Sequence, residues 1–326
     1  MFTNPDYWRP YVEEVCSRHG LGPCRAVRTG LPGTMPVFIV DERVVVKFFA
    51  EYFQGDTGFR VEREVYGLLA GREDIPAPAL VASGELFPEG EDGWPWPYLV
   101  VELLPGRSLG EVAGRVSAAD RLAVAQYLAP ILRRLHRLRL EPSVDLRPTW
   151  DAFDVFLAGQ RANVVAQHQR WRALPERLIA QIEDYLPPLA ELVDHRLPPH
   201  LLHCDLNADH VLGGFTGDHW QPTGVIDFGD AKVGDRLYEL EALHIGLFHG
   251  DKRLLRAFLD AYGFDPDLRR DFTQRAMSMA LLHEFNVLGE VTQRFPGATD
   301  GRSLEELTTL LWDLEQPGLV DAATLR

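Results

Sequence analysis

Two short segments hold the residue types that phosphoryl chemistry requires. The first is His203-Cys204-Asp205-Leu206-Asn207-Ala208-Asp209-His210-Val211-Leu212, and the second, Val225-Ile226-Asp227-Phe228-Gly229-Asp230, begins fifteen residues beyond His210. Each acidic cluster adjoins a short apolar run, as a metal–nucleotide site would. Moving a phosphoryl group asks little covalent chemistry of a protein. One carboxylate must orient the attacking hydroxyl and accept its proton, and another must hold the metal that bridges the phosphates. Asp205 and Asp227 are the candidates for those roles, in that order. Loop capping is the other common use of aspartate. Cys204 needs no nucleophilic role, because direct transfer uses none, and it reads as a small buried thiol.

A cation on the phosphates is the third requirement, and Lys47 stands at the end of the apolar run Val44-Val45-Val46. A buried lysine needs a partner. Glu64 on the following helix is the expected one, in an ion pair that keeps the amine within reach of the α- and β-phosphates; Glu62 is close by on the same helix. Upstream, Thr29-Gly30-Leu31-Pro32-Gly33-Thr34 is a turn between two β runs, where Gly30 and Gly33 let backbone approach phosphate and Thr34 closes the turn. It matches neither a Walker loop nor a dinucleotide fingerprint.

The elements that must position these residues divide the chain. The first hundred residues read as short β runs near Arg25 to Thr29, Met35 to Val40, Val44 to Phe49 and Tyr98 to Leu103, with one helix near Gly58 to Ala70. A small antiparallel sheet is expected there. After Leu103-Leu104-Pro105-Gly106 the pattern becomes helical, opening with a capping signal at Ser117 and Asp120. Further helices are expected over Trp150 to His168, Pro175 to Leu186, Leu254 to Tyr262, Leu268 to Val291 and Ser303 to Leu314, the last with a capping box at Ser303 and Glu306. A Gly/Pro/acidic turn spans Phe87 to Pro97. The organisation is therefore an α+β fold: an N-terminal nucleotide-binding sheet lobe over residues 1–102, a hinge at 103–106, and a helical C-terminal lobe over 107–326 with the catalytic loop and substrate pocket.

The order and spacing of Lys47, Glu64, Val101-Glu102-Leu103-Leu104, His203-Cys204-Asp205 and Ile226-Asp227-Phe228-Gly229-Asp230-Ala231, with Gly234-Asp235 behind, resemble the aminoglycoside phosphotransferase and choline-kinase-related family, relatives of the protein kinases. The resemblance spans nearly the whole chain and implies a bilobal, protein-kinase-like fold. It also implies that the backbone of Glu102 and Leu104 binds the purine, that Asp205 is catalytic with His203 bracing its loop, that Asp227 binds Mg²⁺, and that Asp235 ties helix and loop backbone together. Family substrate pockets lie between the catalytic loop and the C-terminal helices, where Asp151, Asp154, Asp230, Glu284 and Glu290 are candidates. One position departs from the pattern: five residues after the catalytic aspartate the family usually has a metal-ligating asparagine, and here His210 stands. Imidazole suits softer ions than Mg²⁺, so His210 could ligate Mn²⁺, contact a phosphate or serve structurally. A hygromycin-phosphotransferase-like subset carries a similar Asp-His pair.

Composition sets the outer limits. The 326 residues are 46% hydrophobic and 25% charged, an ordinary globular make-up long enough for two lobes. Thirty-three basic against 48 acidic residues leave a net charge of −15, which disfavours nucleic acid or an anionic membrane as partner and suits a cationic small molecule. The start lacks a basic stretch followed by an apolar run, so a cytoplasmic address is the default expectation. Three cysteines, Cys16, Cys24 and Cys204, show no metal-ligand spacing and read as free thiols. The function expected is transfer of the γ-phosphoryl group of ATP or GTP to a small-molecule hydroxyl, with an aminoglycoside or related antibiotic as first choice of acceptor. A kinase of another antibiotic class or of a sugar or amino alcohol, and a nucleotide-binding pseudokinase, are the alternatives. Monomer and homodimer are both compatible with the sequence.

Overall fold

The computed structural model describes residues 2–87, 93–263 and 271–319. The chain divides into two compact units: residues 1–111 with 209–214 and 223–231, and residues 112–208 with 215–222 and 232–326.

In the first unit, five antiparallel strands lie in the order β1-β2-β3-β5-β4: β1 Val27–Thr29, β2 Val37–Val40, β3 Val44–Phe48, β4 Leu80–Glu85 and β5 Pro97–Glu102. Strand alternation decides what each face carries. Val44, Val46 and Phe48 of β3 enter a cluster with Trp8, Val12, Val15 and Cys16 of the helix Pro5–Arg18. Lys47, one residue out of phase, therefore points to the other face. The Pro5–Arg18 helix, opened by Asn4 accepting from the Asp6 and Tyr7 amides, and the strand β4 have no counterpart in the sequence reading. The expected helix near Gly58 to Ala70 is the Gly55–Leu69 helix. The turn expected over Phe87 to Pro97 lies outside the described residues at 88–92. Strands β6 (Arg107–Ser108), β8 (Val211–Thr216) and β9 (His219–Val225) form a second sheet in the order β6-β8-β9.

The second unit is mostly helical. The Ala118–Leu135 helix, capped by Ser117, packs on the Lys252–Tyr262 helix, and Phe272–Leu281 packs on Leu304–Trp312, which starts with the Ser303/Glu306 capping box. The single helix expected over Leu268 to Val291 is two, Phe272–Leu281 and Val287–Arg294, and its first residues, 268–270, lie outside the described residues. The Asn286 side chain caps the second by accepting from the Gly289 amide, so a new helix starts where periodicity alone reads a continuous one. The Pro175 to Leu186 helix is likewise two short ones, Glu176–Ile179 and Ile182–Tyr185. Strands β7 (His200–Leu202) and β10 (Lys232–Gly234) pair antiparallel at the roots of the two acidic loops. After β10 the Arg236–Glu241 helix runs into six π-helical residues, Ala242–Leu247, all buried. Lys252 is buried, and its Nζ donates to the carbonyls of Thr309 and Asp313, both at 2.7 Å, closing the C-terminal end of the Leu304–Trp312 helix. Among the described residues no helix is long and apolar enough to cross a membrane.

Candidate active site

In the first unit, Lys47 Nζ lies 2.8 Å from Glu62 Oε2 and 2.7 Å from Asp227 Oδ1. The expected partner Glu64 is not the one used. Two positions apart on an α-helix are turned by roughly 200°, so Glu62 and Glu64 cannot share a face. Val61, Val65, Tyr66 and Leu69 define the buried side, and Glu62 falls within it at 2% exposure, whereas Glu64 is half-buried. The Tyr66 hydroxyl donates to Glu62 Oε1 at 3.1 Å, and Tyr66 packs edge-on against Phe228. The overlooked signal was the tyrosine four residues along from Glu62, on the same helical face.

Burial alone would depress the Lys47 ammonium, but the carboxylates of Asp227 and Glu62 outweigh it and raise its pKa above the ordinary lysine value. Burial raises the Glu62 carboxyl against the pull of Lys47. Asp227 is the more exposed of the two carboxylates on Lys47. His210 Nε2 stands 3.6 Å from Asp227 Oδ2. Among the described residues no three His, Cys, Asp or Glu side chains group as a metal cage. The Asp227 carboxylate is the hard oxygen donor that Mg²⁺ prefers, whereas the His210 nitrogen beside it suits softer ions.

The turn between β1 and β2 is closed by the Gly30 amide donating to the Val37 carbonyl at 2.8 Å. A Cβ at Gly30 would fall 2.7 Å from Val37 Cγ1, so the valine would have to shift, whereas one at Gly33 would meet nothing within 4 Å. Thr34 lies in the same bend. At the other end of the sheet the Glu102 amide donates to the Ala79 carbonyl at 2.9 Å, which leaves the Glu102 carbonyl, not its N–H, as the group a base could use. Leu104 is half-buried just beyond it.

In the second unit, the His203–Asp205 segment is held by Glu239, a residue the sequence reading did not single out. Its carboxylate accepts from the backbone amides of His203 (2.6 Å) and Cys204 (3.3 Å), and His136 Nε2 approaches it at 3.5 Å. The Tyr262 hydroxyl meets His136 Nδ1 at 2.8 Å. Glu239 is fully buried; burial opposes its charge, but His136, His203 and the loop amide hold its pKa below the usual carboxylate range. His203 is buried, and its Nδ1 accepts from the Asp205 amide at 3.4 Å, a bracing contact within the loop. Cys204 is buried and adopts φ +66°. Asp227 in the first unit also adopts φ +66°, and such left-handed geometry in non-glycine residues costs energy and gathers at functional sites. Asp235 caps the Arg236–Glu241 helix through the Leu237 amide (2.8 Å) and pairs with Arg275 (3.1 Å). Asp235 thus ties the helix start, and Glu239 ties the loop backbone at His203 and Cys204.

The acidic substrate candidates separate. Asp151 and Asp154 lie in the first turn of the Asp151–Trp171 helix, where Asp151 accepts from Thr149 and Asp154 from His195 (2.9 Å). Glu284 is bound by Lys232 at 2.6 Å, with the amine also over the Phe156 ring. Asp230 is half-buried in the first unit, beside Phe228 and Gly229. Glu290 lies on the Gly246 side of Asn207: its Oε2 and the Asn207 Cβ both lie within 4 Å of the point that a Cβ on Gly246 would take. Burial raises the Glu290 carboxyl.

A family model described as "Phosphotransferase enzyme family" matches residues 36–272. Among curated proteins the chain is similar to lysine-specific demethylase JMJ21 of Arabidopsis thaliana, 23% identical over 95% of this chain and 45% of that protein, so it spans about half the length of this relative. Among solved structures it resembles the GDP complex of wild-type aminoglycoside 2'-phosphotransferase-IIIa, with a TM-score of 0.66, 21% identity, and coverage of 98% of this chain and 99% of that one. It also resembles the streptomycin–ATP–APH(2")-IIa ternary complex (TM-score 0.60, 18% identity, 91% and 97% covered) and aminoglycoside-3'-phosphotransferase of type VIII (TM-score 0.56, 25% identity, 85% and 98% covered). These likenesses bear out the α+β, protein-kinase-like fold class.

Proposed function

The chain belongs to the phosphotransferase enzyme family, and from that premise we propose that it moves the γ-phosphoryl group of ATP or GTP onto a hydroxyl of a cationic small molecule, an aminoglycoside or related aminocyclitol. The observation that carries the reading is the Lys47 ammonium bonded to both Glu62 and Asp227. Such a group positions a phosphate-binding cation beside a metal-binding carboxylate. The similar solved structures include complexes with GDP, with ATP and streptomycin, and with GDP and kanamycin, which supports both halves of the proposal. The net charge of −15 favours a polycationic acceptor.

In this mechanism Asp205 orients the acceptor hydroxyl and accepts its proton as the oxygen attacks the γ-phosphorus in line. Lys47 neutralises α- and β-phosphate charge, and the Gly30–Thr34 turn covers the phosphates. The Glu102 carbonyl and the Leu104 amide hold the base. Mg²⁺, held by Asp227 with His210 alongside, would supply charge neutralisation on the phosphate oxygens. Glu290 answers a positive group on the acceptor.

The test is nucleotide consumption with ATP and GTP across aminoglycosides, other antibiotics, sugars and amino alcohols, with mass spectrometry of the product. A phosphorylated aminoglycoside is the expected result. Phosphorylation of a sugar or amino alcohol alone would overturn the acceptor class, and nucleotide binding without any turnover would favour a pseudokinase. Asp205→Asn is expected to lower kcat by roughly 10²–10⁴-fold, the range of a lost general base, with nucleotide affinity kept; near-normal turnover would remove Asp205 from this role.

A further inference from the structure

Asn207 makes two contacts with the residue proposed as catalytic. Its backbone amide donates to the Asp205 carbonyl at 2.9 Å, and its side-chain Nδ2 donates to Asp205 Oδ1 at 3.0 Å. Asn207 is in turn backed by the π-helical residues. A Cβ on Gly246 would stand 3.3 Å from the Asn207 Cβ, tighter than nearly all real contacts, so glycine there lets the helix backbone rest against the asparagine. The wall it forms is buried along all six residues, Ala242–Leu247. Widened helical turns of this type frequently mark functional sites.

A carboxylate turns easily about its terminal torsion, which is broad and two-fold. An amide donor fixed on one oxygen stops that rotation and sets which way the plane of the group faces. On the premise that Asp205 orients the acceptor, we propose that Asn207 is a positioning residue for phosphoryl transfer, aiming the Asp205 carboxylate and itself held in place by Gly246. In the step it serves, the acceptor O–H proton passes to Asp205 while the acceptor oxygen forms its bond to the γ-phosphorus. The bond from that phosphorus to the β–γ bridging oxygen breaks, and the nucleoside diphosphate leaves with the electron pair. Asn207 neither gives nor takes a proton. It governs the fraction of encounters in which the carboxylate is correctly turned, which enters kcat and not nucleotide binding.

Asn207→Asp keeps the shape and removes the donor; Asn207→Ala removes both. The full chain carrying either change is assayed with the best acceptor of the panel and, independently, for hydrolysis of the nucleotide by water. Each variant is expected to lose about tenfold or more in kcat, the rate equivalent of one hydrogen bond to a charged group, with the nucleotide KM within about twofold of native. In an Asp205→Asn background the same changes are expected to cost little further, because the group they act through is gone. Gly246→Ala, which presses on Asn207, is expected to reproduce the kcat loss. Unchanged kcat in Asn207→Asp, or equal losses with and without Asp205, would overturn the positioning role. The hydrolysis arm separates the two readings: if no acceptor is phosphorylated but water is used, the acceptor proposal fails and Asn207 is still tested. Absence of turnover with water as well overturns both.

Discussion

Two glutamates, Glu62 and Glu239, are buried to nearly the same degree and solve the problem of buried charge in opposite ways. Glu62 is matched by a side chain, the Lys47 ammonium, which it shares with Asp227. Glu239 is matched by backbone amides of His203 and Cys204 and by His136, groups that cannot leave without the chain moving. Burial lifts the first carboxyl above its ordinary pKa, and the second is held below its own. On the proposed function, the contrast separates an assembly that offers its charge to an incoming nucleotide from one that keeps a loop still.

The sharpest way to break this comparison is Glu239→Gln. The amide keeps the shape but brings two N–H groups toward donors, so a buried loop amide loses its acceptor. A loss of about 1–3 kcal/mol in urea unfolding is expected, with a fall in kcat and nucleotide affinity unaltered. Unchanged stability would mean that the loop does not depend on this carboxylate. A smaller effect, confined to the nucleotide, is expected from Glu62→Gln: about tenfold in kcat/KM for nucleotide, against less than about twofold for Glu64→Gln. Equal effects at both positions would reinstate Glu64 as a partner.

The two units also differ in how acidity should reach them. Burial depresses His244 to about 4 and His283 to about 3, so both stay neutral in the folded second unit. The unfolded chain takes up these protons near pH 6.5 and the folded chain does not, so stability is lost as pH falls from about 6.5 toward 4, by up to about 1.4 kcal/mol per pH unit for each histidine. Lys47 behaves in the reverse sense: its raised pKa gives stability that is complete below the ordinary lysine value and is lost only as pH rises through the folded one. Urea titrations from pH 7.5 to 4.5 on the native protein and His283→Gln check this, with a shallower decline expected in the variant. Identical slopes would remove His283 from the acid response.

What the sequence made legible followed from residue type and local order. Lys47 at the end of an alternating strand, the two acidic segments and the Ser303/Glu306 capping box could all be read from neighbours a few positions away. What could not be read depended on partners far along the chain. Glu239 meets the His203 amide across 36 residues, and a carboxylate that binds main chain leaves no side-chain partner to search for. Glu62 and Glu64 carry the same charge and differ only in helical face, and Val61, Val65 and Tyr66 mark the buried side that Glu62 shares. The Leu268 to Val291 pattern was apolar enough to read as one helix, and Asn286 acting as a cap was the signal against it. The Pro5–Arg18 helix has a good start signal in Asn4 and Pro5, but Pro10 within it weakens the helical pattern.

Thirty of the 33 basic residues are arginines, leaving only Lys47, Lys232 and Lys252 as lysines. Each has its amine engaged: by two carboxylates, by Glu284, or by main-chain carbonyls at the end of a helix. A protein built in this way offers amine-directed reagents almost no side-chain target on its surface. Acylation, reductive methylation and lysine cross-linking would proceed slowly against it, and an arginine-rich exterior would keep its charge through all of them. With Lys47 in the proposed phosphate-binding role, the same scarcity would make it a nearly background-free place for a nucleotide-shaped acylating probe to report occupancy, because few other amines would compete for the label.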